Sequence, residues 1–440
     1  TEVLRADVIA STEPYLQPAY FAIRHQKTVS LEIETRSEAV SEAQIKALVD
    51  DFVYQPYQII QHSLLKHKLI LLEDGRSLFI FAVHHILMDG FSESLYVNYF
   101  SRIYNALASN EVPKFDVRNC FEDTQDIRQL YDTEQVYQTW ASYGHDCEGF
   151  QLGRKKGDTD IRSIQRPLPS ALFTDLTAFS QVHRIGIPAI LRACYVMLLQ
   201  HYQRVDHPFV VSDILGERTR KNLRSIGCFY VRLPVVYTAE LFTKESVIFD
   251  LIKHFYQFKQ SVSDTRFISN NLYSQLFDPS DLNFIYNYFN MPSAIDISGQ
   301  KASIEINAAM PRPGEIHFVP KETPGGLTLH LNYDASVFTE VDFLQRVEQL
   351  LATLLTQEAM ISEYCFLNAH EAQQVMATFE QSHQPHANTS GSVLAPYLKA
   401  ATENPEQIAI KQGRDSLSYQ ALETRTNQLA GELLTQGVKP

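Results

Sequence analysis

Residues 83–92 read VHHILMDGFS. Upstream lies SLFIFAV, a β-prone apolar run; downstream, FSESLYVNYFSRIYNALAS places Leu95, Tyr99, Ile103 and Leu107 at helical spacing. A strand is therefore expected to deliver two adjacent histidines into a short loop that opens a helix, with Ser92 as the expected N-cap. Neighbouring side chains on a strand point to opposite faces, so strand geometry carried through the pair would turn one histidine to a cavity and the other into the protein. Two histidines at a strand end, taken alone, read as hydrogen-bonded structure. An aspartate and a glycine at fixed spacing behind them favour chemistry, with Asp89 bracing the loop through a buried ion pair or backbone hydrogen bonds.

Working outward, SEAQIKALVDDFV (41–53) predicts an amphipathic helix started by Ser41 and Glu42. KLILLE and SLFIFAVH predict a hairpin whose Asp74-Gly75 pair suits a type I′ turn. The opening runs LRADVIAS and LQPAYFAIR read as extended structure. Residues 110–165 are polar and hold the only tryptophan, Trp140, which predicts a helix and a crossover between lobes. A second α/β half follows, with helices over 169–184 and 188–204, strands over 207–215, 228–237, 282–290 and 327–335, and a closing helix over 339–355. Alternating helices and strands imply a sheet with helices packed on it. From about Asn368 the periodicity stops, predicting a linker, and a new apolar pattern starts at Val393.

Composition narrows the function. The 440 residues predict two or three compact units. With 45% apolar and 20% charged residues, collagen-like and wholly disordered chains are excluded. A formal charge of −13 opposes nonspecific binding to nucleic acid or an anionic membrane. No apolar run approaches the roughly 18 residues a membrane helix needs, and the first residues lack a signal-peptide pattern, so a cytoplasmic address is expected. Five dispersed cysteines predict neither a disulfide framework nor a structural zinc site, and HYQRVDH, with His201 and His207, reads as a helix end rather than a metal site.

The HHxxxDG pattern at 84–90 resembles the active-site motif of the condensation domains of nonribosomal peptide synthetases, which share the chloramphenicol-acetyltransferase-like fold. Leu4-Arg5-Ala6 resembles the tail of that family's RHxxLRT motif, and SIGCFY (225–230) its IGxFVN motif. GER, ending at Arg218, stands where the family has a GR element, and the strand at 282–290 and the closing helix are also similar. NPEQIAI and LSYQALETRTNQLAGELLTQGV resemble the opening of an adenylation domain. The resemblance implies two chloramphenicol-acetyltransferase-like lobes forming a V with a tunnel between them. It divides the chain into an N-terminal lobe at 1–165 whose start is missing, a C-terminal lobe at 166–365, a linker at 366–392 and a truncated adenylation start at 393–440. Tyr143-Gly144 departs from the family's frequent Tyr-Trp, and Val83 stands where β-lactam-forming relatives carry a further histidine.

The resemblance implies that the amine of a carrier-bound acceptor attacks the thioester of a carrier-bound donor, with no cofactor or metal held by the chain itself. Phosphopantetheine arms would come from upstream and downstream peptidyl carrier proteins, and the chain's own adenylation domain would be a further partner. By the same resemblance the catalytic set is His85, His84 and Gly90, with His85, the second histidine, positioning the amine and taking its proton late. Gly90 either lets a backbone N–H approach an oxyanion or makes the turn. Asp89 is expected to be structural, with Arg218 its favoured partner and Arg5 the second candidate. An epimerisation domain shares the histidine motif, and a noncatalytic carrier-docking domain is the reading from another class.

Overall fold

The computed structural model describes residues 2–10, 19–25, 29–60, 63–114, 133–144, 147, 160–203, 207–218, 220–242, 248–268, 272, 275–277, 283–290, 294–304, 314–323, 325–338, 342–357, 369–382, 392, 394–412 and 415–439. Two compact units divide the chain, Thr1–Phe366 and Leu367–Pro440.

The first unit opens with a 3₁₀ turn at Val3–Arg5 and an antiparallel pair, β1 (Ala6–Ala10) and β2 (Ala19–Ile23). The two extended runs at the start of the chain therefore pair with each other. Next come β3 (Leu31–Thr35), α1 (Glu42–Val53), β4 (Leu65–Leu71) and β5 (Ser77–Val83), the strands forming a sheet in the order β3-β4-β5. Ser41 starts α1 through a reciprocal capping box with Gln44, and Phe52 buries its ring with Ile70 and Ile80. The turn between β4 and β5 differs from expectation. Only Gly75 has a positive φ, +83°, and Leu72 both accepts from Gly75 N–H and donates to Arg76 O. This is a three-residue loop with its left-handed residue at Gly75, not a two-residue type I′ turn, which needs positive φ at both centres.

After α2 (Gly90–Ala108) and α3 (Glu134–Gly144), the chain enters the large sheet with β6 (Ile161–Pro167). There follow α4 (Ser170–His183), α5 (Ile187–Gln203), β7 (Phe209–Gly216), β8 (Tyr230–Tyr237), α6 (Ile248–Ser261), β9 (Phe284–Tyr286) and β10 (Phe289–Asn290). A small hairpin, β11 (Ala294–Ile297) and β12 (Gln300–Ser303), precedes β13 (Ile316–Thr323), β14 (Gly326–Asp334) and α7 (Phe343–Gln357). The sheet runs β6-β14-β13-β9-β7-β8, with β10 also pairing β13. Helices α3 to α7 pack in one apolar cluster with this sheet, built around a fully buried stretch of α5 from Ile190 to Leu199.

The strand and helix on either side of the expected crossover join the large sheet and its apolar cluster. The lobe boundary at 165/166 runs through β6, which pairs with β14 from Ile161↔Asp334 to Pro167↔Thr328. Trp140 on α3 is fully buried in the large cluster and donates Nε1–H to Thr265 O at 2.7 Å, so α3 belongs with the second lobe's core. Gly144 ends α3 where a Cβ would meet the carbonyl oxygen of Leu276 at 2.3 Å, so no larger side chain fits there without backbone movement. The rest of the crossover, apart from residues 110–114, 133, 147 and 160, lies outside the described residues, at 115–132, 145–146 and 148–159.

The second unit contains α8 (Ala369–Ser382), α9 (Ala395–Glu403), β15 (Ile408–Gln412), β16 (Asp415–Ser418) and α10 (Tyr419–Thr435). The stretch expected as linker thus contains a helix, and most of QSHQPHANTSGS lies outside the described residues. No single described helix is long and apolar enough to cross a membrane.

Candidate active site at the junction of the two lobes

Strand geometry stops before the histidines. His84 N–H still donates to Leu64 O at 2.8 Å, but Leu87 N–H returns to His84 O at 3.0 Å and closes a turn over 84–87. The turn separates the two rings. His84 accepts from Ile86 N–H through Nδ1 at 3.2 Å, which leaves Nε2 to carry the proton of the neutral ring, and Tyr57 packs edge-on at 5.6 Å between centroids. Burial, and next the charge of His85, lowers the His84 pKa. His85 is exposed, and its ring lies 5.2 Å from that of Tyr230 at the start of β8.

The residues behind the histidines anchor the turn. Leu87 and Met88 are each 1% exposed and pack in one apolar cluster with Val3, Val8, Leu64, Ile226 and Phe229, so the loop is seated on side chains from both halves of the unit. Asp89, not Ser92, caps α2: its Oδ1 accepts from Ser92 N–H at 2.8 Å. A carboxylate fits the helix N-terminus because unpaired N–H groups and the dipole both favour negative charge there. Ser92 instead reaches across, donating from Oγ to Gly227 O at 2.7 Å and accepting from Gly227 N–H at 3.0 Å.

Arg218 completes the clasp. Its Nη2 donates to Asp89 Oδ1 at 2.8 Å and to Ser92 Oγ at 2.6 Å, while Nη1 donates to the carbonyls of Asn222 and Ser225 at 3.0 and 2.8 Å. Asp89 Oδ2 accepts from Phe229 N–H at 2.9 Å. Both ionic side chains are under 10% exposed, at 6% for Arg218 and 8% for Asp89, and the rings of Phe91 and Phe229 lie 4.5 and 4.6 Å from the guanidinium. Arg5, the second candidate partner, is elsewhere: its Nη1 donates to the carbonyls of Arg24 and His25 at 2.7 and 2.6 Å, closing the β1–β2 pair. It supports the motif only through its neighbours Val3 and Leu4, which belong to the apolar cluster under Leu87.

Gly90 also meets a demand that sequence reasoning misses. A Cβ there would stand 2.0 Å from Cε2 of Phe289, on β10, so the aromatic ring occupies the space a side chain would need. One turn on, burial and then the charge of Asp89 push the Glu93 carboxyl up from 4.5 to about 7, against a smaller opposing effect of Lys321 on β13. Lys321 pairs with Phe289 in the β10–β13 ladder. Further along α2, Ser101 and Asn105 hold the β11–β12 hairpin through Asp296 O, and Asn105 Oδ1 accepts from Ser298 N–H at 2.6 Å. Neither Phe289 nor the hairpin carries a local signal of this contact. Among the described residues no group of three or more His, Cys, Asp or Glu side chains is placed to hold a metal.

The sequence pattern of the condensation domain family matches residues 14–376. The chain belongs to the condensation domain family. This condensation domain is 22% identical over 445 residues to tyrocidine synthase 3 of Brevibacillus parabrevis, covering 91% of the chain but 6% of that synthetase. It is 21% identical to tyrocidine synthase 2 of the same organism, covering 91% of the chain and 12% of the relative. Bacitracin synthase 3 of Bacillus licheniformis, 22% identical, is matched along 100% of the chain and 7% of its own length. The chain therefore spans a small part of these curated synthetases. Among solved structures, the first condensation domain of the calcium-dependent antibiotic synthetase aligns with a TM-score of 0.66 at 19% identity, covering 84% of this chain and 88% of that one. The starter condensation domain of rhizomide synthetase aligns with a TM-score of 0.68 at 16% identity, covering 83% and 86%. The fold is thus the two-lobed, chloramphenicol-acetyltransferase-like one that the motif implied.

Two outcomes follow from this geometry. Gly90→Ala should lower the urea midpoint more in the parent chain than in a Phe289→Ala background, because the Phe289 ring must give way to the new Cβ; equal losses in the two backgrounds would place the strain elsewhere. Glu93 binds its proton more tightly folded than unfolded, so its contribution to stability falls as pH rises from 4.5 to about 7. Unfolding free energies measured across that range should fall less steeply in Glu93→Gln than in the parent chain.

Proposed function

We propose that this condensation domain catalyses amide bond formation between two carrier-bound thioesters at His85. The observation that supports the reading is the buried Asp89–Arg218 clasp, which fixes the histidine turn against the second lobe while His85 itself stays exposed. A site for two large carrier-delivered substrates needs such a residue: held in place, yet open to a cleft.

The acceptor amine attacks the donor carbonyl, forming a C–N bond. The tetrahedral intermediate then collapses with loss of the C–S bond, and the nitrogen's proton ends on the departing sulfur. A free α-amine has a pKa of about 7.7–8.0, so an appreciable fraction is neutral near pH 7 and deprotonating it beforehand is a small task. Attack makes the nitrogen cationic and strongly acidic. His85 serves best by holding the amine before attack and receiving the proton afterwards, for which general-base action contributes about 10²–10⁴-fold. Orientation between two lobes contributes the larger share. His84, with Nδ1 occupied by Ile86 N–H and Tyr57 beside its ring, shapes the turn rather than moving protons.

The phosphopantetheine arms of upstream and downstream peptidyl carrier proteins would enter a tunnel between the lobes from opposite sides, and residues 393–440 would open the adenylation domain of the same module. The length of the match to bacitracin synthase 3, which extends through this tail, supports that arrangement. A cytoplasmic enzyme working on soluble carriers fits the net charge of −13.

Intact mass spectrometry of an acceptor carrier, after incubation with a loaded donor carrier, tests the reading. The chain should add one donor mass to the acceptor, and His85→Ala should lose that product at least about 100-fold, the lower end of general-base contributions. Return of the acceptor at its original mass with inverted α-carbon stereochemistry would identify an epimerisation domain. Binding of both carriers with neither change would leave a docking domain.

A further inference from the structure

We propose that Tyr230 is a positioning residue for His85, reaching from the second lobe to hold the imidazole in its working orientation. This rests on the reading of His85 as the catalytic group.

The contact is local and built. Tyr230 is the first residue of β8, and its ring meets that of His85 at 5.2 Å and 61°, an edge-to-face arrangement. The backbone immediately before Tyr230 is fixed on both sides: Phe229 N–H donates to Asp89 Oδ2 at 2.9 Å, and Phe229 O accepts from Glu217 N–H at 2.7 Å. The carboxylate that caps the helix after the histidine turn therefore also sets where the Tyr230 ring begins. The hydrogen bond that closes the turn runs between His84 and Leu87 and leaves His85 between its ends. An exposed imidazole on a turn samples several rotamers, and an edge-to-face aromatic neighbour favours one of them by roughly 2- to 10-fold.

The segment SIGCFY resembles IGxFVN, in which Tyr230 falls on the valine position. Valine cannot make this ring contact. The contact depends on the aromatic residue this chain carries at 230, which ties the His85 ring of one lobe to the sheet of the other.

The chain is compared with Tyr230→Phe and Tyr230→Leu in carrier-to-carrier condensation assays and in ¹H–¹³C NMR spectra of the histidine rings, with His85→Gln assigning the His85 signal. Emission of the single tryptophan, buried Trp140, verifies folding of each variant. Tyr230→Leu should move the His85 ring signal as the ring current of the neighbouring aromatic is lost, and should lower kcat roughly 2- to 10-fold with the acceptor KM unchanged. Tyr230→Phe should keep both properties. An unmoved His85 signal in folded Tyr230→Leu overturns the proposal, as does a rise in KM at constant kcat. Retention of full activity by His85→Ala would instead remove the reading of His85 itself, while the NMR comparison would still decide whether Tyr230 holds its ring.

Discussion

One buried ion pair, Asp89 to Arg218 across 129 residues of chain, fixes the arrangement on which the rest of the site depends. Burying two charges is costly, and a pair of this kind contributes little net stability compared with apolar residues of the same shape. Its value lies in what each partner does besides. Asp89 caps a helix with one oxygen and holds the Phe229 backbone with the other; Arg218 gathers the carbonyls of Asn222 and Ser225. Removing either partner would strand the other charge away from water and free a helix start, a strand start and a loop together.

Around that pair, packing supplies what hydrogen bonds do not. Leu87 and Met88 sink into a cluster shared with Ile226 and Phe229, which seats the loop between the histidines and the aspartate on the second lobe. Phe289 fills the place of a Gly90 side chain from the opposite sheet. Five residues of HHILMDG thus answer to a physical demand: His84 to the turn, Leu87 and Met88 to the apolar cluster, Asp89 to the clasp, Gly90 to an incoming ring. The motif is a seven-residue junction between lobes that leaves His85 and Ile86 exposed.

Much of this is legible in the sequence. Periodicity marks α1, α2, α4, α5 and α7, the hairpin β4–β5 follows from two β-prone runs about a turn, and the Asp89–Arg218 partnership is the favoured pairing. What stays hidden depends on contacts distant in sequence. Strand β13 is absent from the expected strands, and it carries Pro320, Lys321 and Glu322, residue types depleted in sheets. The proline falls where the neighbouring strand breaks between β9, paired through Phe318, and β10, paired from Lys321, the kind of gap in which a missing N–H is tolerated. The expected lobe boundary cuts β6 because nothing in that strand's own residues records β14 as its partner. Ser92 reads as a cap since serine favours that position, yet the carboxylate three residues earlier serves it and releases the hydroxyl for Gly227. Arg5 is a plausible partner by charge alone, and only the pairing of β1 with β2 shows where its guanidinium goes.

A double-mutant cycle in urea unfolding, with Asp89→Ala, Arg218→Met and the double variant, tests the central claim most directly. Each single change should cost about 3–5 kcal/mol by leaving a buried charge without its partner. The double variant should be at least about 1.5 kcal/mol more stable than the sum of the two losses predicts. Additivity within about 0.5 kcal/mol would contradict the account, because it would mean that the two charges, although in contact, do not depend on each other.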